Sequence, residues 1–111
     1  MANKVHWDPD SEGRVMRKGV RALTEIDGEH VTVGVTRFEP GHDLKPHKHP
    51  SEQFVCILAG TLEFHVEDEV TVLRKGDILH IPANREHWGI VVGDEPVINL
   101  DAWYPHRVAG A

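Results

Sequence analysis

Two histidines separated by one residue, His47 and His49, are the clearest sign of chemistry in this chain. On an extended backbone, side chains alternate between two faces, so both imidazoles point the same way and can bind one ion. Imidazole binds zinc, copper, iron and nickel, and such a site needs further ligands, for which Gln53 and His87 are the candidates. Because the chain has nine histidines, the pair alone could also lie in an exposed loop without an ion.

Length, charge and hydropathy limit the classes of function. A chain of 111 residues forms one domain with one hydrophobic core. Its formal net charge of −6 provides no basic surface for phosphates, which disfavours nucleic-acid binding. No apolar segment is long enough for a signal peptide or a membrane span, so we expect a cytoplasmic protein that does not bind membranes. An acidic protein can still bind a small anion where a metal ion or an arginine supplies positive charge.

Short β-strands must position these residues. Alternating and β-branched runs bounded by Gly and Pro predict strands over residues 31–38, 53–58, 61–66, 70–73, 78–81, 87–92 and 97–103. No segment has a sustained 3.6-residue apolar period, so little helix is expected and the fold class is all-β, a sandwich or a barrel. We divide the chain into a lead-in over 1–28 that packs on the barrel, the barrel over 29–107 and a tail over 108–111. Residues 5–21 of the lead-in are expected to be irregular, with one short strand near 14–16 or 20–23.

The strand predicted at 53–58 is apolar on both faces. If Gln53 points inward, Val55 and Ile57 share its face, while Phe54 and Cys56 lie on the other. A strand that is apolar on both faces is usually buried on both. The outer face is therefore expected to pack on another sheet or on a second copy of the chain, and we infer a homodimer.

Two motifs at matched spacing resemble those of the cupin family. In the first, Gly41 is followed after five residues by the histidine pair, then after three by Gln53, and after six more by Gly60. Glutamine stands where glutamate is commoner in that family. In the second motif, Pro82 and His87 lie at the usual places after a glycine, but Asn84 stands where glycine is usual.

The resemblance implies a double-stranded β-helix, a jelly-roll barrel, with a metal in its mouth and His47, His49, Gln53 and His87 as ligands. Four neutral ligands would leave a divalent ion its whole charge, which makes a strong Lewis acid. The adjacent Glu52 competes for the third ligand position, but on a strand it would face away from Gln53, so we favour Gln53. Nickel, zinc, manganese, iron, cobalt and copper all remain possible, since affinity order and cell supply decide which is bound.

The last strand carries a third group of residues: Asp101, Trp103 and Arg107. This ending is similar to that of the small cupins of pectin and alginate breakdown, the KdgF type, which open 4,5-unsaturated monouronates to linear keto sugars. The resemblance implies that Arg107 pairs with a substrate carboxylate, Trp103 walls off the ring and Asp101 moves protons. Each residue also has an ordinary structural interpretation, as a strand-end acceptor, a core side chain and a surface ion pair.

The predicted function is therefore a metal-dependent cupin of the isomerase or lyase type that acts on a small anionic substrate in carbohydrate metabolism. Cupins with three neutral histidines also resemble carbon–carbon bond-cleaving oxygenases, so an iron-dependent dioxygenase is the alternative. A cupin that binds a small ligand without catalysis is the third interpretation. The group formed by Asp101, Trp103 and Arg107 favours proton chemistry over oxygen activation.

Overall fold

The computed structural model describes residues 2–106, and these residues form nine β-strands and no helix. The strands are β1 (Arg14–Arg17), β2 (Val20–Asp27), β3 (Thr32–Phe38), β4 (Glu52–Ala59), β5 (Thr61–Val66), β6 (Glu69–Arg74), β7 (Ile78–Ile81), β8 (His87–Val91) and β9 (Val97–Tyr104). They pair antiparallel in two sheets. The larger sheet has the order β1-β2-β3-β9-β4-β7 and the smaller one β6-β5-β8. The predicted all-β jelly-roll barrel is confirmed.

The lead-in differs from the prediction of an irregular segment with one short strand. Residues 14–27 instead form two strands, and β2 pairs with β3 along its length. The register shifts between Ala22 and Thr24, and again in β1 between Val15 and Arg17. An extra residue in a strand breaks the period of two on which strand prediction depends, which explains why the pattern was not visible in the sequence.

Three neighbouring strands of the larger sheet, β3, β9 and β4, carry the inner face on which the site is built. The register sets side chains in rows across these strands. The rows facing the interior are Thr32–Trp103–Gln53, Gly34–Asp101–Val55 and Thr36–Asn99–Ile57. Residues that are 48 positions apart in the chain, such as Gln53 and Asp101, therefore become diagonal neighbours.

The hydrophobic core lies between the two sheets and consists of Val55, Ile57, Leu62, Phe64, Leu73, Ile81 and Val97. On β4 the inner residues Val55 and Ile57 are each 1% exposed, whereas Phe54 on the outer face is 46% exposed. The predicted alternation of faces therefore agrees with the structure. The homodimer and the division of the chain at residues 28 and 107 stay predictions. Within residues 2–106 the fold offers no helix with the length and hydropathy to cross a membrane.

Candidate metal centre

Backbone pairing joins the two segments that carry the histidines. The His47 N–H donates to the His87 carbonyl at 3.2 Å, and the His87 N–H donates back to the His47 carbonyl at 2.9 Å. In the turn before β8, the Asn84 N–H donates to the His49 carbonyl at 2.8 Å. The segment around residues 47–49 is thereby held against the start of β8, and imidazoles from distant parts of the chain meet.

The turn before β8 explains the departure from the second cupin motif. Asn84 has a φ of 62°, in the left-handed region that glycine adopts most easily. Asparagine is among the few other residues that tolerate this region, because its short side chain can hydrogen-bond locally. Asn84 can therefore replace the usual glycine without loss of the turn that presents its N–H to His49.

Three imidazoles, those of His47, His49 and His87, converge on one point. One ring nitrogen from each lies within 4.8 Å of the others. In each ring, Nδ1 lies beside a backbone carbonyl two residues away, at 2.7 Å for His47 and 2.8 Å for the other two. A carbonyl oxygen only accepts, so a proton on Nδ1 leaves Nε2 with a lone pair for an ion.

Burial keeps two of these imidazoles neutral. It lowers the pKa of His87 to about 4 and is also the main cause of the lowered pKa of His47. The buried His87 Nε2 has no hydrogen-bond partner among the residues described. An unpaired buried polar atom costs roughly 1–3 kcal/mol, and a cation bound to its lone pair would remove that cost. The neutral nitrogen donors and this unpaired atom fit a transition-metal ion.

Gln53 extends the cluster and connects it to Asp101. Gln53 Oε1 lies 3.1 Å from His49 Nε2. When His49 carries its proton on Nδ1, these two atoms present lone pairs to each other, which a cation bound by both would accommodate. The Gln53 amide is oriented by its other end, because Nε2 donates to Asp101 Oδ1 at 2.8 Å. The second Asp101 oxygen accepts from Asn99 Nδ2, also at 2.8 Å.

Glu52, the competing ligand, faces the other way. Its Oε1 lies 3.0 Å from His80 Nε2 on the outer face of the sheet. Gln53, by contrast, is buried and beside His49. This geometry agrees with the reason for preferring Gln53, although the ligand assignment itself stays a prediction.

A cavity of about 210 Å³ lies beside the histidines. Six of the seven predicted site residues line it: His47, His49, Gln53, His87, Asp101 and Trp103. The Trp103 ring packs over Gly34, where an added Cβ would lie 3.3 Å from the ring. The remaining predicted residue, Arg107, lies outside the described residues, so its role stays a prediction.

Among the lining residues that were not predicted as site residues from the sequence are Arg17, Lys45 and Asn99. Asn99 precedes Asp101 by two positions on a predicted strand, so the period of two could have placed it on the same face. Arg17 gave no such signal, because it lies in the lead-in where the register shifts. Lys45 lies two residues before His47 in a stretch with no strand pattern.

These features define a class: a double-stranded β-helix with convergent imidazoles at its inner face. The family described as "Cupin domain" matches residues 34–103. The chain belongs to the cupin family, as its two motifs indicated, and it is a small cupin.

The chain is similar to several characterised proteins and solved structures. It is 35% identical over 72 residues to the dimethylsulfoniopropionate lyase DddW of Ruegeria pomeroyi, a match that covers 65% of this chain and 47% of that protein. The chain thus spans about half the length of this curated relative. The structure of KdgF from Halomonas sp. has a TM-score of 0.80 at 17% identity, with 96% of each chain covered.

An RmlC-like cupin from Shewanella frigidimarina has the same TM-score, 0.80, at 18% identity, covering 96% of this chain and 94% of that one. At such identities the likeness of the two structures shows the fold.

Proposed function

We propose that this chain is a metal-dependent cupin enzyme that carries out proton chemistry, an isomerisation or an elimination, on a small anionic sugar-like or oxo-acid substrate. The observation that carries the proposal is that three convergent imidazoles and a buried carboxylate, Asp101, line one cavity of about 210 Å³. The cavity is smaller than typical drug-sized pockets and suits a substrate of one ring or one short chain.

His47, His49, Gln53 and His87 would hold the ion. A divalent transition metal bound there would act as a Lewis acid towards a substrate oxygen. The ligands themselves carry no charge, so the chain leaves the positive charge of the ion available for an anionic substrate. The same four residues suit nickel, zinc, manganese, iron, cobalt or copper.

Asp101 is the residue that moves a proton. Its two oxygens accept hydrogen bonds from Gln53 and Asn99, which hold the carboxylate in place at the cavity. In ring opening of an unsaturated uronate, a proton leaves the C1 hydroxyl, the bond from C1 to the ring oxygen breaks, and a proton adds at C4. The product is an isomer of the substrate, so no oxidant or reductant is needed. Trp103 walls off the ring, and Arg107 pairs with the substrate carboxylate.

A second reaction is supported by the identity with the dimethylsulfoniopropionate lyase. Elimination from a small carboxylate needs a base that removes the proton next to the carboxylate while a leaving group departs from the next carbon. Asp101 is the one carboxylate that lines this cavity among the residues that the structure describes, and we assign it the role of the base. Both reactions use the Asp101 carboxylate for proton transfer, so they differ in the substrate and not in the residue that transfers the proton.

The test is a substrate panel with the metal-loaded protein. A 4,5-unsaturated monouronate should lose its enol ether absorbance without oxygen uptake, and dimethylsulfoniopropionate tests the elimination. Asp101→Asn should abolish turnover while metal content stays near that of the wild type. Bound iron with substrate-dependent oxygen consumption would establish the dioxygenase instead, and the absence of turnover on every substrate would leave a non-catalytic binder.

Arg107 is tested separately, because it lies outside the residues that the structure describes. Arg107→Ala should raise the KM for a carboxylate substrate by about tenfold, the loss expected for one charge-assisted hydrogen bond, and leave metal content unchanged. An unchanged KM would remove Arg107 from the site.

The homodimer is proposed to form through the outer face of the larger sheet. Phe54, Ile78 and Tyr104 are 46%, 68% and 53% exposed there, a concentration of apolar surface that a partner would cover. Phe54→Asp should convert a dimer to a monomer in light scattering. Val72→Asp, an exposed position on β6 in the smaller sheet, is the matched control and should leave the dimer intact.

A further inference from the structure

Two cations line the same cavity as the histidines. The charged residues that line it, among those the structure describes, are Arg17, Lys45 and Asp101. The protein as a whole has a net charge of −6, so the two positive side chains at this small cavity are opposite in sign to the net charge of the protein. Neither cation belongs to the predicted ligand set or to the group of residues at the end of β9.

Arg17 is held in place by the hairpin of β1 and β2. Its Nε donates to the Asp43 carbonyl at 3.2 Å, and its guanidinium carbon lies 5.9 Å from the centre of the Phe38 ring. The hairpin turn is itself attached to the loop before the histidines, because Asp43 N–H donates to the Lys18 carbonyl at 3.0 Å. A guanidinium fixed in this way loses little conformational entropy when it binds an anion.

The turn depends on Gly19. This residue has a φ of 75°, and an added Cβ would lie 2.7 Å from the Cβ of His42. Only glycine allows both the left-handed conformation and this close approach. The position of Arg17 over the cavity therefore follows from a turn that no larger residue can form without displacing the loop.

Lys45 lies in the loop before the histidines, the same loop that contacts the hairpin turn through Asp43. Its carbonyl oxygen accepts from His47 Nδ1 at 2.7 Å, which places the residue beside the cluster. Lys45 forms no ion pair with any residue between 2 and 106.

We propose that Arg17 and Lys45 form the anion-binding end of the cavity and select ligands that carry a carboxylate over neutral ligands of the same shape. This inference rests on the proposed function, since it concerns the substrate of that site. Arginine presents a planar fork of donors that matches a carboxylate, and lysine adds a second positive charge. The two cations would act in addition to any role of Arg107.

The test compares two probes, D-galacturonate and its methyl ester, which share a ring but differ in charge. Their binding to the zinc-loaded protein is measured by calorimetry for the wild type, Arg17→Gln and Lys45→Gln. Arg14→Gln, on the same strand as Arg17, and Lys48→Gln, in the same segment as Lys45, are the matched controls. Zinc content is measured for every variant.

The wild type should bind galacturonate at least about tenfold more tightly than the ester. Arg17→Gln should remove about tenfold of the affinity for galacturonate and none for the ester, and the exposed Lys45 should contribute about two- to threefold. Both controls should match the wild type, and zinc content should not change. The preference should weaken as salt is added.

Three results would overturn the proposal: a wild type with no preference for the charged probe, including no measurable binding of it; an equal loss in Arg14→Gln and Arg17→Gln; or a loss of zinc that accounts for the loss of galacturonate. If Arg17→Gln does not fold, Arg17→Lys serves instead and should retain part of the preference. Absence of turnover on every substrate, with the charge preference intact, would refute the proposed reaction but support this anion site.

Discussion

The histidine cluster and the Asp101 carboxylate lie in one cavity but are held in opposite ways. Backbone carbonyls fix each imidazole from behind at Nδ1, and His87 Nε2 is left buried and unpaired among the residues described. Asp101 has both oxygens engaged by side-chain amides. The first group is thus incomplete until a cation binds, whereas the second is already satisfied. Gln53 belongs to both, since one end of its amide faces each group.

The largest effect should come from the incomplete group. His87→Ala should weaken zinc binding by about a hundredfold to a thousandfold, because a binding free energy of about 10–16 kcal/mol is shared among about four ligands. Metal content after dialysis against a weak chelator measures this change. His65→Ala removes a histidine that is paired with Glu63 outside the cluster and should keep its zinc. Similar loss from both variants would refute the assignment.

Acid should destabilise the metal-free protein through the same group. The pKa of His87 is about 4 in the folded state and about 6.5 in the unfolded state, so the unfolded chain binds more protons between these values. The free energy of unfolding should therefore fall as pH decreases from about 6.5 to about 4, by on the order of 3 kcal/mol. Denaturant titrations across this window measure the slope.

His87→Gln is the control for this pH dependence. It removes the proton-binding ring while the other histidines remain, so its unfolding free energy should vary less with pH than that of the wild type. The same slope in both proteins would show that His87 is not the group responsible.

Gln53 tests the connection between the two groups. Gln53→Ala removes a neutral oxygen ligand and the donor to Asp101, and zinc affinity should fall by about tenfold or more. Glu52→Ala changes only the outer face and should leave zinc affinity as it is in the wild type. If the two variants lose zinc equally, or if neither does, Gln53 is not a ligand.

The smallest effect should come from the satisfied group. Asn99→Ala removes one donor to Asp101 but also removes Asn99 Oδ1, a buried atom without a partner among the residues described. We expect a loss of about 1 kcal/mol in the free energy of unfolding and little change in zinc affinity. Thr36→Ala, the neighbour of Asn99 in the same row, is the comparison. A loss of zinc in Asn99→Ala would contradict the separation of the two groups.

Local patterns were enough to predict most of the fold. β5 and β7 have the bounds predicted for them, because Gly60, Gly76 and the acidic turn at 67–68 interrupt the chain next to these strands. The histidine pair could be placed on one side from its spacing alone. In β1 and β2 the register shifts hid the alternation, so the hairpin was not predicted.

The contacts within the cavity could not be predicted in the same way. The series of hydrogen bonds from Asn99 through Asp101 to Gln53 forms because β9 pairs with β4. That pairing brings together Gln53 and Asp101, which are 48 positions apart. Spacing along one strand contains no information about which strand lies beside it. Arg17 is a stronger case, since its place depends on a turn at Gly19 that docks on a loop beyond β3.

The backbone pairing of His47 with His87 also sets an order of events. These residues are 40 positions apart, and bringing them together lowers the entropy of the chain. The formation of the two sheets must offset this cost. Because the imidazoles are already side by side when the sheets have closed, an ion is not needed to gather them. We therefore expect the chain to fold first and to take up its metal afterwards, so that a chain made during metal shortage remains folded and can be loaded later.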